Sequence, residues 1–206
     1  MIFCLHAVTD RKLVRPGGLP AAAEKALKAG IDCLHLREKD LSARELYEAA
    51  VEIKKLVLKY KKCLIINDRL DTALAAGADC IHLGSRSLPL PAARKIAGKI
   101  RIGVSCHGIE DALFADKNGA SYIYMGPIYS TQSKSRFGPP LGPEIIEKIK
   151  SRIKIPVIAI GGINSGNLKE IIHYGADGAA FISDVFAKHD IGKSVVTLKN
   201  TVENIN

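Results

Sequence analysis

Charged, amide and hydroxyl residues recur directly after short apolar segments along this 206-residue chain. The set is rich in cations and hydroxyl groups, and it contains one amide beside a carboxylate. Such a composition suits a phosphate or diphosphate ligand better than a sugar or a peptide. The residues are Thr9, Asp10, Arg11, His35, Arg37, Glu38, Lys39, Asn67, Asp68, Arg69, Ser105, His107, Thr131, Ser133, Lys134 and the segment 85–87.

Two later segments predict a second anion-binding region. Residues 156–163 are a branched apolar run that ends in the pair Gly161 and Gly162, where the backbone must approach something closely. A similar run, residues 178–184, closes on Ser183. Adjacent parallel strands with small residues at their ends direct backbone N–H groups toward one point, so we expect a phosphate site there.

A repeated three-residue motif indicates the secondary-structure elements that would bring these residues together. Gly30, Gly77, Gly119 and Gly175 each follow an amphipathic helical run, and each lies two residues before an Asp or Ser that precedes an apolar segment. A glycine at a helix C-terminus typically opens a tight loop into the next strand. Four such joints predict a chain of repeated strand–helix units.

The complete pattern predicts eight strands alternating with helices, which is typical of an α/β fold with a single (βα)8 TIM barrel over residues 1–206. A helix is predicted over residues 42–60, with Ser42 and Glu45 as a capping box. The long segment 126–142 is expected to form a working lid at the catalytic face. The strands are predicted at 2–8, 33–36, 64–66, 80–83, 101–104, 122–125, 157–160 and 178–182.

The composition limits the classes of ligand and partner that the protein is expected to bind. The net charge is +9, but the basic residues are spread along most helices without an aromatic-rich motif, so phosphorylated small molecules are favoured over nucleic acid. No apolar run is long enough to cross a membrane and no signal peptide is visible, so a cytoplasmic protein is expected. The sequence is compatible with a homo-oligomer but does not determine the oligomeric state.

Three Cys-x-His pairs offer metal-ligand chemistry. The pairs begin at Cys4, Cys33 and Cys80, and each lies within a predicted strand, so both residues would face the barrel interior. Zinc is one interpretation. The pairs come from separate strands without the close Cys-x-x-Cys spacing of a structural zinc site, and reduced, buried structural residues are therefore favoured.

An ordered set of motifs resembles the thiamin phosphate synthase and TenI family, and the match covers nearly the whole chain. No single motif is specific, whereas their order is. The resemblance implies the same (βα)8 barrel. The motifs occupy residues 35–39 (His-Leu-Arg-Glu-Lys), 66–69 (Ile-Asn-Asp-Arg), 82–84, 103–107 (Gly-Val-Ser-Cys-His), 126–129 (Gly-Pro-Ile-Tyr), 131–134 and 160–163.

The resemblance also implies substrates and site residues. The synthase joins hydroxymethylpyrimidine diphosphate to thiazole phosphate with Mg²⁺ and releases diphosphate in an oxocarbenium-like, dissociative step. By resemblance, the thiazole phosphate would be held by Thr131, Ser133, Gly161, Gly162, Ile182 and Ser183. The diphosphate and pyrimidine would be held by Arg37, Lys39, Asn67, Ser105 and Lys134, and Mg²⁺ by Asp68.

Two departures from the synthase pattern favour the other branch of the family. His35 stands where the synthase usually has a pyrimidine-reading Gln, and Ser87 stands where it has the second Mg²⁺-binding Asp. Serine is a poor substitute for an anionic ligand. We therefore expect a TenI-like thiazole tautomerase, which needs no Mg²⁺ or other cofactor, in preference to the synthase.

One departure has the opposite implication. The tautomerase carries a catalytic His directly after the glycine that ends the sixth strand, and this chain has Pro127 there, as the synthase does. The candidate catalytic residues are therefore His107, His35 and Lys134, with the two histidines as acid–base groups near neutral pH. A non-catalytic binder of thiamin phosphate is the third hypothesis.

Overall fold

The computed structural model describes residues 3–14, 17–131 and 139–204. Eight parallel strands close into a barrel in which each strand pairs with the next along the chain and β8 pairs with β1. This arrangement confirms the predicted (βα)8 fold. The strands are β1 Cys4–Val8, β2 Cys33–Leu36, β3 Cys63–Asn67, β4 Cys80–Leu83, β5 Arg101–Cys106, β6 Tyr122–Met125, β7 Val157–Ile160 and β8 Gly178–Phe181.

Helices follow the strands and cover the outside of the barrel. After β8 the chain forms two of them, a short helix and a long C-terminal one. The helices are α1 Gly18–Ala29, α2 Ala43–Lys59, α3 Leu70–Ala75, α4 Leu90–Ile96, α5 Ile109–Lys117, α6 Glu144–Lys150, α7 Leu168–His173, α8 Ser183–Phe186 and α9 Ile191–Glu203, and Arg11–Leu13 forms a single 3-10 turn.

Most predicted element boundaries agree with the structure. Strands β2, β4, β6 and β7 have the predicted limits, whereas β5 continues two residues further, to Cys106. Strand β8 ends one residue early because Ile182 leaves the extended conformation and becomes the N-cap of α8. The single domain over residues 1–206 and the cytoplasmic location stay predictions.

Helix α2 shows the predicted capping box. The Ser42 hydroxyl accepts a hydrogen bond from the Glu45 N–H at 3.3 Å, and the Glu45 carboxylate accepts one from the Ser42 N–H at 2.8 Å. These bonds satisfy N–H groups that have no partner within the helix. One stripe of the helix is buried against the barrel, and it consists of Leu46, Ala50, Ile53 and Val57.

The Asp or Ser that follows each repeated glycine joins two neighbouring strands. Its side chain accepts a hydrogen bond from a backbone N–H near the start of the preceding strand. The sequence identified these positions only as loop residues, since their partners lie 15 to 27 residues earlier. The bonds join Leu5 N to Asp32, Leu64 N to Asp79, Ile102 N to Ser121 and Val157 N to Asp177, at 3.0, 2.9, 3.1 and 2.7 Å.

Lysines form ion pairs with three of these carboxylates. Lys150 lies 2.7 Å from Asp177, whose side chain is only 11% exposed. Lys62 and Lys54 pair in the same way with Asp32 and Asp79, at 2.8 and 3.0 Å. Each carboxylate thus holds a strand N–H and a helix or loop lysine together at the N-terminal end of the barrel.

The barrel interior is unusually polar at its centre. Tyr122 and Tyr124 reach across it, and the Nδ1 atom of His6 lies 2.8 Å from the Tyr124 hydroxyl. Gly103 makes room for Tyr122, because a Cβ atom at this glycine would lie 2.1 Å from the tyrosine Cζ. Within the described residues, no helix is long and apolar enough to cross a membrane.

Candidate active site

The glycines and the serine predicted to bind a phosphate lie side by side. Strands β7 and β8 pair in parallel with Ile160 opposite Ala180, so the residues that follow each strand emerge at the same rim. Gly161 and Gly162 follow β7, and Ile182 and Ser183 follow β8. Within the described residues, the N–H groups of Gly162 and Ser183 donate no hydrogen bond, which leaves both donors for an anion.

Both glycines are required by the close approach of the segment after β6. Gly161 and Gly162 have φ angles of +100° and +67°, a region that side chains rarely adopt. A Cβ atom at Gly161 would lie 2.7 Å from the Pro127 Cα, and one at Gly162 would lie 2.7 Å from the Ser130 carbonyl oxygen. The loop after β6 therefore packs directly on the predicted phosphate site.

An amide that the sequence analysis did not identify holds this turn in place. The Asn167 side chain donates a hydrogen bond to the Gly162 carbonyl oxygen at 3.0 Å. Its own side-chain oxygen accepts a bond from the Asn164 N–H at 2.8 Å. The Gly162 carbonyl is thereby held by the Asn167 amide.

Part of the predicted site lies outside the described residues. Ser133 and Lys134 belong to the segment 132–138, as does the central part of the predicted lid over residues 126–142, so these assignments stay predictions. Thr131, the last described residue before this segment, is partly exposed at the same rim. The described base of the loop is fixed to β7, since the Tyr129 N–H donates to the Gly161 carbonyl at 3.0 Å.

Asp68 and Ser87 meet at the rim after β3 and β4. The Ser87 hydroxyl donates a hydrogen bond to the Asp68 carboxylate and accepts one from the Gly84 N–H at 2.7 Å. Asp68 has a φ angle of +68°, which is uncommon for a residue with a side chain and occurs often at functional sites. The two positions that the family pattern links to Mg²⁺ are thus direct neighbours.

Three cations surround this pair. Burial lowers the pKa of Arg37, and the charges of Asp10, Glu38 and Asp68 oppose that change. The pKa of Lys39 is also lowered, first by burial and then by the charges of Arg37 and Arg86. A bound diphosphate would relieve the repulsion of Lys39 by Arg37 and Arg86, as the predicted anion site requires. From the sequence, Arg86 was included only as part of the polar segment 85–87.

Glu38 is a structural carboxylate and not a ligand-binding one. Its side chain is buried, and it accepts hydrogen bonds from the Thr9 hydroxyl at 2.6 Å and from the Arg11 N–H at 3.1 Å. The Thr9 oxygen in turn accepts the Arg37 N–H at 2.9 Å. This network fixes the backbone of Arg37 and joins the ends of β1 and β2.

His35 lies below the rim, inside the barrel. Its side chain is 1% exposed, and neither ring nitrogen has a hydrogen-bond partner within the described residues, although Asn67 lies close enough to affect its pKa. Burial, followed by the charges of His82 and Arg37, holds the pKa of His35 well below its ordinary value. The imidazole is therefore neutral at pH 7, which argues against acid–base catalysis by this residue.

His107 is closer to the rim. Its Nδ1 atom lies 2.6 Å from the Gly126 carbonyl oxygen, and since a carbonyl only accepts, Nδ1 carries the proton. Its backbone N–H donates to Asp111 at 2.8 Å. The Ser105 hydroxyl oxygen, on β5, lies 2.9 Å from the His82 Nε2 atom. His107 is thus fixed in one tautomer beside the loop after β6.

Comparison with known proteins identifies the family of the chain. A sequence profile described as "Thiamine monophosphate synthase" matches residues 5–185. The chain belongs to this thiamine monophosphate synthase family. A family member from Clostridium acetobutylicum, named thiamine-phosphate synthase, is 44% identical over 188 residues, which are 91% of this chain and 89% of the relative.

Two further relatives extend the comparison. The thiamine-phosphate synthase of Syntrophomonas wolfei is 44% identical over 92% of this chain and 91% of its own length. The solved structure of thiamine phosphate pyrophosphorylase from Pyrococcus furiosus is 35% identical, with a TM-score of 0.91 over 98% of this chain and 96% of that one. The family resemblance predicted from the motifs is confirmed, and the chain is an enzyme of thiamin biosynthesis.

Proposed function

We propose that this protein is a thiamin phosphate synthase, which joins hydroxymethylpyrimidine diphosphate to thiazole phosphate and releases diphosphate. The sequence analysis preferred the TenI-like tautomerase, and that interpretation is not confirmed. The curated relatives described above carry the synthase name at 44% identity, which supports the alternative. Pro127 supports it as well, because the tautomerase branch has its catalytic His at that position.

The observation that carries the proposal is the cluster of cations around Asp68. Arg37 and Lys39 are close enough to Asp68 for its charge to affect the pKa of both. A tautomerase binds one phosphate group, which Gly162 and Ser183 already accommodate. A second, cationic region at the other side of the rim is explained by a second substrate that carries a diphosphate.

Mg²⁺ fits the donor atoms at this position. Mg²⁺ in phosphate-transfer sites is commonly held by one or two carboxylates together with substrate oxygens and water. Asp68 supplies the carboxylate, and Ser87 supplies a neutral oxygen next to it. The ion would neutralise charge on the diphosphate as that group leaves. Asp68 with a single serine neighbour implies weaker metal binding than two carboxylates would give.

The residues of the chain would act mainly by charge and position. As the bond to diphosphate breaks, negative charge grows on the leaving group, and Arg37 and Lys39 strengthen their hold on it. The buried imidazole of His35 stays neutral and so does not repel the cationic pyrimidine fragment that forms. Gly162 and Ser183 would fix the thiazole phosphate by backbone N–H groups, so that the thiazole nitrogen faces the pyrimidine.

The test is an assay of the purified full chain with both substrates and Mg²⁺, following diphosphate release and thiamin phosphate formation. Asp68→Asn should abolish most of the activity, and Asp71→Asn is the matched control, since Asp71 pairs with Arg69 at the helix start. No product from the wild-type chain, together with proton exchange on thiazole carboxylate phosphate, would restore the tautomerase interpretation. Inactivity in both assays with tight thiamin phosphate binding would support the binder.

A further inference from the structure

Four cysteines form a connected group at the end of the barrel opposite the candidate active site. Each is the first residue of its strand, so all four lie at the N-terminal mouth of β1 to β4. The Cys4 and Cys33 sulfur atoms are 3.9 Å apart, and those of Cys63 and Cys80 are 3.8 Å apart. Cys33 and Cys63 are register partners on β2 and β3, which places the two pairs side by side.

These distances match metal coordination better than a disulfide. Two thiolates bound to one tetrahedral Zn²⁺ at about 2.3 Å have sulfur atoms roughly 3.8 Å apart. A disulfide needs its sulfur atoms at about 2.05 Å. All five cysteines of the described residues are free thiols.

His6 adds a third ligand of the right kind. One ligand atom from each of Cys4, His6 and Cys33 can be chosen so that all three lie within 4.8 Å of one another. The Nδ1 atom of His6 lies 2.8 Å from the Tyr124 hydroxyl, which leaves Nε2 for a metal. A hydrogen bond on the other ring nitrogen is the usual way in which a metal-binding His is oriented.

We propose that Cys4, His6 and Cys33 form a binding site for a thiophilic divalent ion such as Zn²⁺, with water in the fourth position. Two thiolates and a neutral imidazole balance the charge of the ion. Thiolate and imidazole ligands together are typical of zinc and not of magnesium.

The two proposed thiol ligands are accessible from solvent. Cys4, Cys33 and Cys63 are each partly exposed at the barrel mouth, and an ion can enter from solvent. The site is independent of the proposed function, because Asp68 lies at the opposite end of the barrel.

The experiment measures metal binding by the purified full chain. We expect about one Zn²⁺ per chain after dialysis against a weak chelator. Co²⁺ should give the sulfur-to-metal charge-transfer absorption of a tetrahedral thiolate site. Zn²⁺ should also protect Cys4 and Cys33 of the wild-type chain from alkylation, as followed by peptide mass spectrometry. This readout needs no variant to fold.

Zn²⁺ binding by variants tests whether the ion binds at this site or elsewhere in the chain. The double change Cys4→Ser and Cys33→Ser should remove Zn²⁺ binding and the cobalt spectrum. Cys106→Ala is the matched control, since this cysteine lies on β5 and is buried outside the group. Asp68→Asn should leave Zn²⁺ binding unchanged. Failure of the wild-type chain to bind either ion, or equal binding by the double variant, overturns the proposal, as does a Cys4–Cys33 disulfide in the purified protein.

Discussion

The Ser87 hydroxyl donates a hydrogen bond to the Asp68 carboxylate at the rim of the barrel. A second carboxylate in place of that hydroxyl should bind Mg²⁺ jointly with Asp68. We therefore expect Ser87→Asp to lower the Mg²⁺ concentration for half-maximal diphosphate release by about tenfold, or roughly 1.4 kcal/mol. Ser87→Ala is the control and should not lower it. A Mg²⁺ requirement that is the same in wild type and Ser87→Asp would contradict the assignment of Asp68.

Lys39 should contribute directly to binding of the pyrimidine diphosphate. Its replacement by Met removes one charge-assisted contact, worth about 1.5–3 kcal/mol. We expect kcat/KM for the pyrimidine diphosphate to fall about 10- to 100-fold, with little change in KM for thiazole phosphate. Lys55→Met changes an exposed lysine on the outer helix α2 and should leave both constants unaltered. Equal effects of the two variants would contradict the assignment of Lys39 to diphosphate binding.

Gly162 should be sensitive to a single added methyl group. Gly162→Ala places Cβ 2.7 Å from the Ser130 carbonyl oxygen, so the phosphate-binding turn must shift. We expect KM for thiazole phosphate to rise at least about tenfold. Gly175→Ala also has a positive φ angle but meets nothing within 4 Å, so it controls for backbone strain alone. The assignment predicts that only the first variant changes KM, while both lose about 1 kcal/mol of stability or more.

Asp177 should be important for stability because it joins β7 to Lys150. Asp177→Ala removes the 2.7 Å hydrogen bond from the Val157 N–H and leaves that donor unpaired. We expect a loss of about 2–3 kcal/mol in the free energy of unfolding, measured by urea denaturation. The exposed pair between Lys199 and Glu203 is the comparison, and Glu203→Ala should cost less than about 0.5 kcal/mol. Comparable losses would show that the joint contributes little.

His35 should make stability depend on pH. Its pKa in the folded chain is well below the ordinary value of about 6.5, so the unfolded chain binds the proton more readily as the pH falls. The stability contribution of the neutral imidazole is present above that value and is lost as the pH drops below it, by up to about 1.4 kcal/mol per unit. Thermal unfolding between pH 7 and pH 5 should show a smaller decrease for His35→Gln than for wild type. His189→Gln, which changes an exposed histidine, should behave as wild type.

Much of the architecture was predictable from local chemistry. The glycines at positions 30, 77, 119 and 175 end helices, and the short apolar runs between the joints predicted the strands with limits that mostly agree with the structure. These signals are local, since a helix end or a buried strand is specified by residues close together in the chain. The family was predictable as well, because the order of its motifs can be read directly along the chain.

Residue identities alone did not separate the synthase from the tautomerase. The change to Ser87 suggested a lost metal site, but the structure places this hydroxyl on Asp68 within a group of cations that includes Arg86. His35 was a candidate acid–base residue by type, and burial inside the barrel lowers its pKa out of the neutral range. The residue type determines which chemistry a side chain can offer, whereas burial and neighbouring charges determine its protonation state.

The sequence by itself determined the barrel and the family, and it predicted two anion-binding ends of the rim, because each rests on short-range patterns. Only the tertiary structure decided that Asp32, Asp79 and Asp177 join neighbouring strands and that Cys4, His6 and Cys33 meet at the opposite mouth. These contacts cross between strands separated by a helix. Barrel closure and strand register set them, and no spacing within the sequence contains that information.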